Sequence, residues 1–242
     1  MKSPKLPYPK LTILAVIAAG FLIYSTLTPS YTLEGPAIGE GQVTVIMLHG
    51  YGMKADDLTN HAEMINREID DITFIFPQAP HRASGGCGGT WQPDYAQTRT
   101  DLVDGRQQSV DELVDLIEEL QRSGVALQDL YLAGYSQGAA MATFMTTSVP
   151  ELPQLRGLIV VNGDFLPHSE EDPRSTDQLP DDFRVLVVHG NKDRVFSIAK
   201  GRAIAGFFEE NNVNVEFVEL DEGHGFNPRF RRPIVAFLKE HN

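Results

Sequence analysis

Cysteine is almost missing from this sequence: Cys87 stands alone among 242 residues. No internal disulfide can form, so the fold rests on packing, and a zinc site built on several cysteines is excluded. Basic residues are scarce as well, with 20 Lys and Arg against 33 Asp and Glu, a net charge of −13. Such a surface argues against nucleic acid as a partner, because binding phosphates needs Lys and Arg to displace counterions. There is no internal repeat and no low-complexity tract. No metalloprotease, paired-cysteine, EF-hand, Walker or dinucleotide pattern occurs, so neither a metal nor a cofactor is expected.

What is present is a chain 42% hydrophobic and 22% charged, enough to bury the core of one full domain. Leu11 to Thr28 carries no charge and follows Lys2, Lys5 and Lys10. As a helix at about 1.5 Å per residue it reaches close to the thickness of a bilayer's hydrocarbon core. The positive-inside rule then keeps the N-terminus cytoplasmic and exports the rest. Residues 1–30 are thus expected to be a signal anchor, or a signal peptide if cut near Ala18-Ala19-Gly20. The folded part would lie on the outer side of an inner membrane, periplasmic or extracellular, or be secreted. Residues 31–42 read as a linker, and 43–242 as the folded domain.

Within that domain strands and helices alternate. Val43–Leu48 is a continuous apolar run, the pattern of a strand buried on both faces. Helix follows over Asp57 to Ile69, strand over Ile72–Phe76, then a Gly-rich loop from Pro77 to Asp94. Ser109–Arg122 is the clearest helix, with Val110, Leu113, Val114, Ile117 and Leu120 on one face and a capping box from Ser109 and Glu112. Strands at Leu130–Ala133, Leu158–Val161, Arg184–Val188 and Val213–Leu220 alternate with helices at Gly138–Thr147, Ile198–Glu210 and Pro228–Glu240. This alternation predicts a doubly wound, mainly parallel sheet with helices on both faces. Functional residues in such sheets gather beyond the carboxyl ends of the strands.

Three strand ends there fit one mechanism. Gly134-Tyr135-Ser136-Gln137-Gly138 joins a strand to a small-residue helix. A G-x-S-x-G in that context is a nucleophile elbow, whose glycines permit a sharp turn that raises the serine above the sheet. Asp193 follows the strand Arg184–Val188, where an acid can orient an imidazole; Asp164, after the preceding strand, is the second candidate. His224, in Gly223-His224-Gly225-Phe226, follows the last strand, and the order Ser, Asp, His is the one this topology uses. His49-Gly50-Tyr51-Gly52 follows the first strand. The oxyanion donors are assigned as the backbone N–H groups of Tyr51 and Gln137, with His49 supporting the loop rather than acting as a base.

Together these features resemble the α/β-hydrolase superfamily, and within it the small carboxylesterase, lysophospholipase and acyl-protein thioesterase family. The resemblance runs over about residues 43–240, through LHGYG (48–52), FPQAP (76–80), Trp91, GYSQG (134–138), NGDFLP (162–167), HGNKDRV (189–195) and GHGF (223–226). It implies an α/β-hydrolase fold, hydrolysis of a small-molecule or lipid-like ester or thioester, no cofactor, and a groove for an acyl chain. Ser136 would be the nucleophile, Asp193 the acid and His224 the base, with Trp91, Phe165 and Leu166 lining the substrate site. The chain departs from the family in its N-terminal segment, in the glycines of HRASGGCGGT (81–90), and in Asp164 of NGDFLP.

Other readings of the same residues stay open: an acyl thioesterase, a peptidase on the same fold, or a non-catalytic binding protein. Cys87 has no base beside it in sequence and reads as a free thiol without a role. The acidic stretch Glu170 to Asp182 reads as a solvated loop, with a lid over the site as the alternative.

Overall fold

The computed structural model describes residues 31–240, apart from 41, 95, 97, 150, 151, 153 and 167–173. The apolar stretch from 11 to 28 lies outside the described residues, and among those described no helix is long and apolar enough to cross a membrane.

The strands that carry the site have no solvent face. Every residue of β2 (Val43–Leu48) and β3 (Ile72–Pro77) is buried. Val43, Val45 and Met47 face one core while Ile46 and Leu48 face the other, so both sides of the pleat must be apolar. β7 (Gly157–Val161) is likewise buried throughout, as are β6 (Leu130–Tyr135) and β8 (Arg184–Gly190) except at Tyr135 and Arg184, while β9 (Asn214–Leu220) is only half-buried. With β1 (Tyr31–Glu34) they form a seven-stranded sheet in the order β1-β3-β2-β6-β7-β8-β9. All pairings are parallel except β1 with β3.

Helices cover both faces. α1 (Thr59–Asn66) and α5 (Pro228–Lys239) enclose the core containing Val45, Tyr131 and Leu186. α2 (Arg99–Arg122), α3 (Gln137–Ser148) and α4 (Ile198–Glu210) enclose the core containing Leu48, Leu132 and Val187. From β2 the chain moves outward to β3; from β6 it moves the other way to β7, β8 and β9. The reversal lies between β2 and β6, so a crevice opens beyond their carboxyl ends, where sheets of this kind bind their ligands.

Two boundaries differ from the sequence reading. Tyr31–Glu34, within the stretch read as a linker, pairs antiparallel with β3 from Tyr31–Pro77 to Glu34–Phe74. Four residues that are half-buried throughout carry no alternation to betray a strand. α2 begins at Arg99, well before Ser109. Thr98 caps it, accepting the Asp101 N–H while Asp101 returns a bond to the Thr98 N–H. The early turns of α2 are largely polar, so apolar spacing does not mark them. Ser109 sits inside the helix and donates to the Trp91 carbonyl at 2.8 Å.

Beneath α1 a small apolar cavity is lined by Val45, Met47, Leu58, His61, Phe226 and Ile234. His61 stacks on Phe226 at 4.2 Å, and its Nδ1 is buried without a hydrogen-bond partner among the described residues. Burial, and then the charge of Arg231, hold this imidazole below its ordinary value of 6.5. The unfolded chain therefore binds a proton near pH 6.5 that the folded chain refuses. Stability conferred by neutral His61 is present above pH 6.5 and is lost as pH falls below it. His61→Leu is expected to flatten the loss of unfolding free energy between pH 7 and 5.5 by less than about 1 kcal/mol, as read from urea titrations. An unchanged slope would show that His61 is not a linked group.

Candidate active site

Ser136 is held in an unfavourable backbone conformation, φ 55 and ψ −120, between β6 and α3. A non-glycine residue there costs about 1–3 kcal/mol and persists only when its surroundings force it. Gly134 and Gly138 supply the force. A Cβ on Gly134 would lie 2.3 Å from the Gly138 carbonyl carbon and oxygen, and one on Gly138 would lie 2.2 Å from the Leu48 carbonyl oxygen. The strand, the turn, the helix and the end of β2 touch backbone to backbone at these points. The Ser136 N–H donates to the Val161 carbonyl at 2.9 Å, which fixes the turn to the end of β7.

The structure brings Ser136, His224 and Asp193 together. His224 Nε2 lies 2.8 Å from Ser136 Oγ, and His224 Nδ1 lies 2.7 Å from Asp193 Oδ2. The Asp193 side chain is wholly buried, and its Oδ1 accepts the N–H groups of Val195 and Phe196 at 2.8 and 2.9 Å. An ionised carboxylate only accepts, so Nδ1 carries the His224 proton. Nε2 is then free to accept from the Ser136 hydroxyl. Asp164, the second candidate acid, points elsewhere: its Oδ2 pairs with Lys200 Nζ at 2.9 Å.

Tyr51 and Gln137 flank the crevice. The Gln137 N–H is the first of α3, one of the four that a helix leaves unused. Among the described residues no acceptor takes the Tyr51 N–H. The loop that presents Tyr51 is built on His49, which is 1% exposed. The Ala79 N–H donates into His49 Nε2 at 3.1 Å, so the ring proton is on Nδ1 and donates to the Gly50 carbonyl at 2.8 Å. Burial holds His49 below its ordinary value, in keeping with a neutral ring. Tyr51 itself is exposed, its hydroxyl donating to Asp94. That bond, with Ser84, holds Asp94 down to about 2.

The Gly-rich loop has a packing reason. Its ends form a two-stranded pair, β4 (His81–Arg82) with β5 (Gly89–Thr90). Gly52 N–H donates to the Gly89 carbonyl at 2.9 Å, and Gly89 N–H to the Met53 carbonyl at 2.8 Å. A Cβ on Gly88 would lie 2.2 Å from the Gly52 carbonyl oxygen. Cys87 sits exposed at the tip of this turn.

The three expected substrate residues do not share one place. Trp91 is 1% exposed, too deep to line a groove, and its indole N–H donates to the His49 carbonyl at 2.8 Å. It is a support of the Tyr51 loop. Gln137 Oε1 accepts the Trp91 N–H at 3.1 Å and its Nε2 donates to the Thr90 hydroxyl at 2.8 Å, tying the serine turn to the same support. Phe165 packs edge-on against Phe207 of α4 with the Arg174 guanidinium 4.0 Å above its ring. Leu166 is buried. Among the described residues no hydrogen bond or ring contact joins Phe165 or Leu166 to Ser136, His224 or Asp193.

Asn162 escaped the sequence reading. It is fully buried at φ 48, just past β7. Its Oδ1 accepts the Gly190 N–H at 2.9 Å, and its Nδ2 donates to the His224 carbonyl at 2.9 Å. One amide thus fastens the loop bearing His224 to the end of β8. Tyr135 does similar work, its hydroxyl donating to the His224 carbonyl at 2.7 Å. An asparagine at a strand end in NGDFLP was the available signal.

The sheet order and the serine turn make this an α/β-hydrolase. The chain belongs to the phospholipase/carboxylesterase family, whose sequence profile matches residues 36–242. It is 28% identical over 177 residues to acyl-protein thioesterase 1 of Kluyveromyces lactis, covering 69% of this chain and 76% of that one. Its fold is that of esterase PE8, with a TM-score of 0.73 at 24% identity over 88% of this chain and 99% of the esterase. It is also that of the Bacillus cereus carboxylesterase, with a TM-score of 0.70 at 16% identity over 89% and 95% of the two chains. The protein is therefore a hydrolase of the esterase and acyl-protein thioesterase type.

These relatives correct one expectation. An exported domain, anchored in an inner membrane or secreted, is at odds with curated relatives that are acyl-protein thioesterases by name. The apolar N-terminal stretch suggested export because length and flanking lysines are all that a hydropathy argument uses. Among the described residues no spanning helix supports the membrane as a partner.

Asn162→Asp tests the fastening of the His224 loop. It keeps the acceptor for Gly190 but turns a buried donor into an anionic acceptor facing two carbonyls. Unfolding free energy is expected to fall by about 2–4 kcal/mol, measured in urea, with kcat reduced. A variant as stable and active as the parent would remove Asn162 from the site.

Proposed function

We propose that the protein hydrolyses carboxylic esters through an acyl-enzyme, with Ser136 as nucleophile, His224 as general base and acid, and Asp193 as the group that orients and stabilises the imidazolium. The observation that carries this is the continuous hydrogen-bonded path from Ser136 Oγ through His224 to Asp193, at a serine held in strained backbone.

In the first half-reaction the Ser136 hydroxyl attacks the ester carbonyl as its proton passes to His224 Nε2. The developing oxyanion is held by the Tyr51 and Gln137 N–H groups, each contributing about 3–4 kcal/mol. Collapse expels the alcohol, which takes the proton from His224. Water then attacks the acyl-enzyme with His224 as base, and release of the acid restores Ser136. Through both halves Asp193 stays ionised, its Oδ1 held by two backbone N–H groups and its Oδ2 by His224.

A second reading, cleavage of acyl thioesters, is favoured by the names of the curated relatives. It uses the same groups, since only the leaving atom differs.

The test is hydrolysis by the full chain of p-nitrophenyl esters from short to long acyl chains, beside matched thioesters. A chain-length optimum on oxygen esters is expected, and thioester turnover that exceeds it would favour the second reading. Ser136→Ala should lower kcat by several orders of magnitude, about 10⁴-fold or more, with the fold intact by circular dichroism. Full activity in that variant, or no labelling of the parent by a serine-directed phosphonate, would overturn the mechanism.

A further inference from the structure

Asp193 has a second histidine beside it. His189 lies on β8, wholly buried, with Nε2 3.5 Å from Asp193 Oδ2, the oxygen that also takes the His224 proton. The same His189 Nε2 lies 2.8 Å from the Phe196 carbonyl oxygen. A carbonyl only accepts, so Nε2 carries the proton. Nδ1 is buried and has no partner among the described residues. The ring lies close against α4: a Cβ on Gly201 would come within 2.6 Å of Nδ1. A glycine in the helix is what admits the ring.

These contacts close a small frame around the acid. Phe196 gives its N–H to Asp193 Oδ1 and its carbonyl to His189, while its ring stands edge-on to His224 at 5.5 Å. His189 therefore touches the acid directly and also through the peptide unit that holds it. Carboxylates in buried sites depend on such donors.

We infer that His189 is a positioning residue: its imidazole fixes the Phe196 peptide through the Nε2–H and stands 3.5 Å from Asp193 Oδ2, setting how that carboxylate holds His224. The inference rests on the proposed roles of Ser136, His224 and Asp193. His189 is not a proton carrier, because its Nδ1 is buried with no hydrogen-bond partner among the described residues to pass a proton to. The positive Nε2–H edge beside Oδ2 draws charge from the oxygen facing His224. Without it the imidazolium form is held more tightly, and activity in acid is lost from a higher pH. Among the described residues the titratable groups in contact with His224 are Asp193 and Tyr135, with His189 beside the acid. Burial, then the Asp193 charge, push the Tyr135 phenol up, which removes it from the acid range.

The experiment compares His189→Leu, His189→Gln and Gly201→Ala in the full chain, using a p-nitrophenyl ester from pH 5 to 9. His189→Leu is expected to lower kcat about tenfold with KM within about twofold, and to move the acid limb of kcat/KM upward by about half a pH unit. His189→Gln, whose amide nitrogen reaches the same position, is expected to recover most of both effects. Gly201→Ala, which pushes the ring from its seat, should move the limb in the same direction as the leucine. A folded leucine variant with parental kcat and limb overturns the inference. So does a fall in kcat without a shifted limb that glutamine fails to rescue, the signature of a merely structural role. If the leucine variant does not fold, the other two decide: a parental limb in Gly201→Ala, or a limb moved as far in glutamine as in alanine, overturns it. Ser136→Ala and phosphonate labelling of the parent report separately on the mechanism, so its failure is not confused with that of His189.

Discussion

Backbone packed directly on backbone at the turn through Ser136 is the constraint on which the rest of the site depends. The Gly138 Cα lies so close to the end of β2 that any Cβ would overlap the Leu48 carbonyl, and Gly134 meets Gly138 in the same way. Because β2 and β6 are adjacent and parallel, this one contact sets both walls of the crevice. It holds the serine in its strained conformation, and it sets the start of α3 beside the loop that begins at His49. The energy that keeps Ser136 strained comes from the two cores on either side of the sheet. Those cores are close-packed and yield little to local relaxation.

The loops around the crevice are joined in a second way: buried polar groups, with exceptions such as Gln92 Nε2 and His189 Nδ1, bond to partners far apart in sequence. His49 reaches Ala79, Trp91 reaches His49, Gln137 reaches Trp91, and Asn162 reaches both Gly190 and His224. Buried amides and imidazoles without partners would each cost about 1–3 kcal/mol. The loops therefore behave as extensions of the sheet. A site assembled from five strand ends acquires its geometry from these cross-bonds more than from any single segment.

This division explains what could be read in advance. Strands buried on both faces declare themselves as apolar runs, and a serine between spaced glycines marks a tight turn, so the sheet and the positions of Ser136, Asp193 and His224 at strand ends were legible. Elements whose reason is non-local were not. Trp91 is the only tryptophan and follows a Gly-rich loop, which suggested a groove wall; its burial under His49 depends on a contact 42 residues away. The first turns of α2 are polar, so helical periodicity began too late. Asn162 and His189 look like ordinary loop and strand residues until β7, β8 and the His224 loop are set side by side. The glycines of the 84–89 loop marked only a departure from the family, yet Gly88 is required for contact with Gly52.

The short strand Tyr31–Glu34 has a consequence outside the chemistry. It lies before the first residue of the family match, at position 36, and among the described residues it alone covers the outer edge of β3. β3 carries no charge and is apolar but for Thr73, the kind of strand that recruits another chain when its edge is bare. The opposite edge, β9, bears Glu216 and Glu219 and guards itself with charge. The two margins of the sheet are thus protected by different means, one by sequence and the other by a strip of added backbone. A chain trimmed to the family boundary would keep every residue of the crevice and lose its protection against self-association.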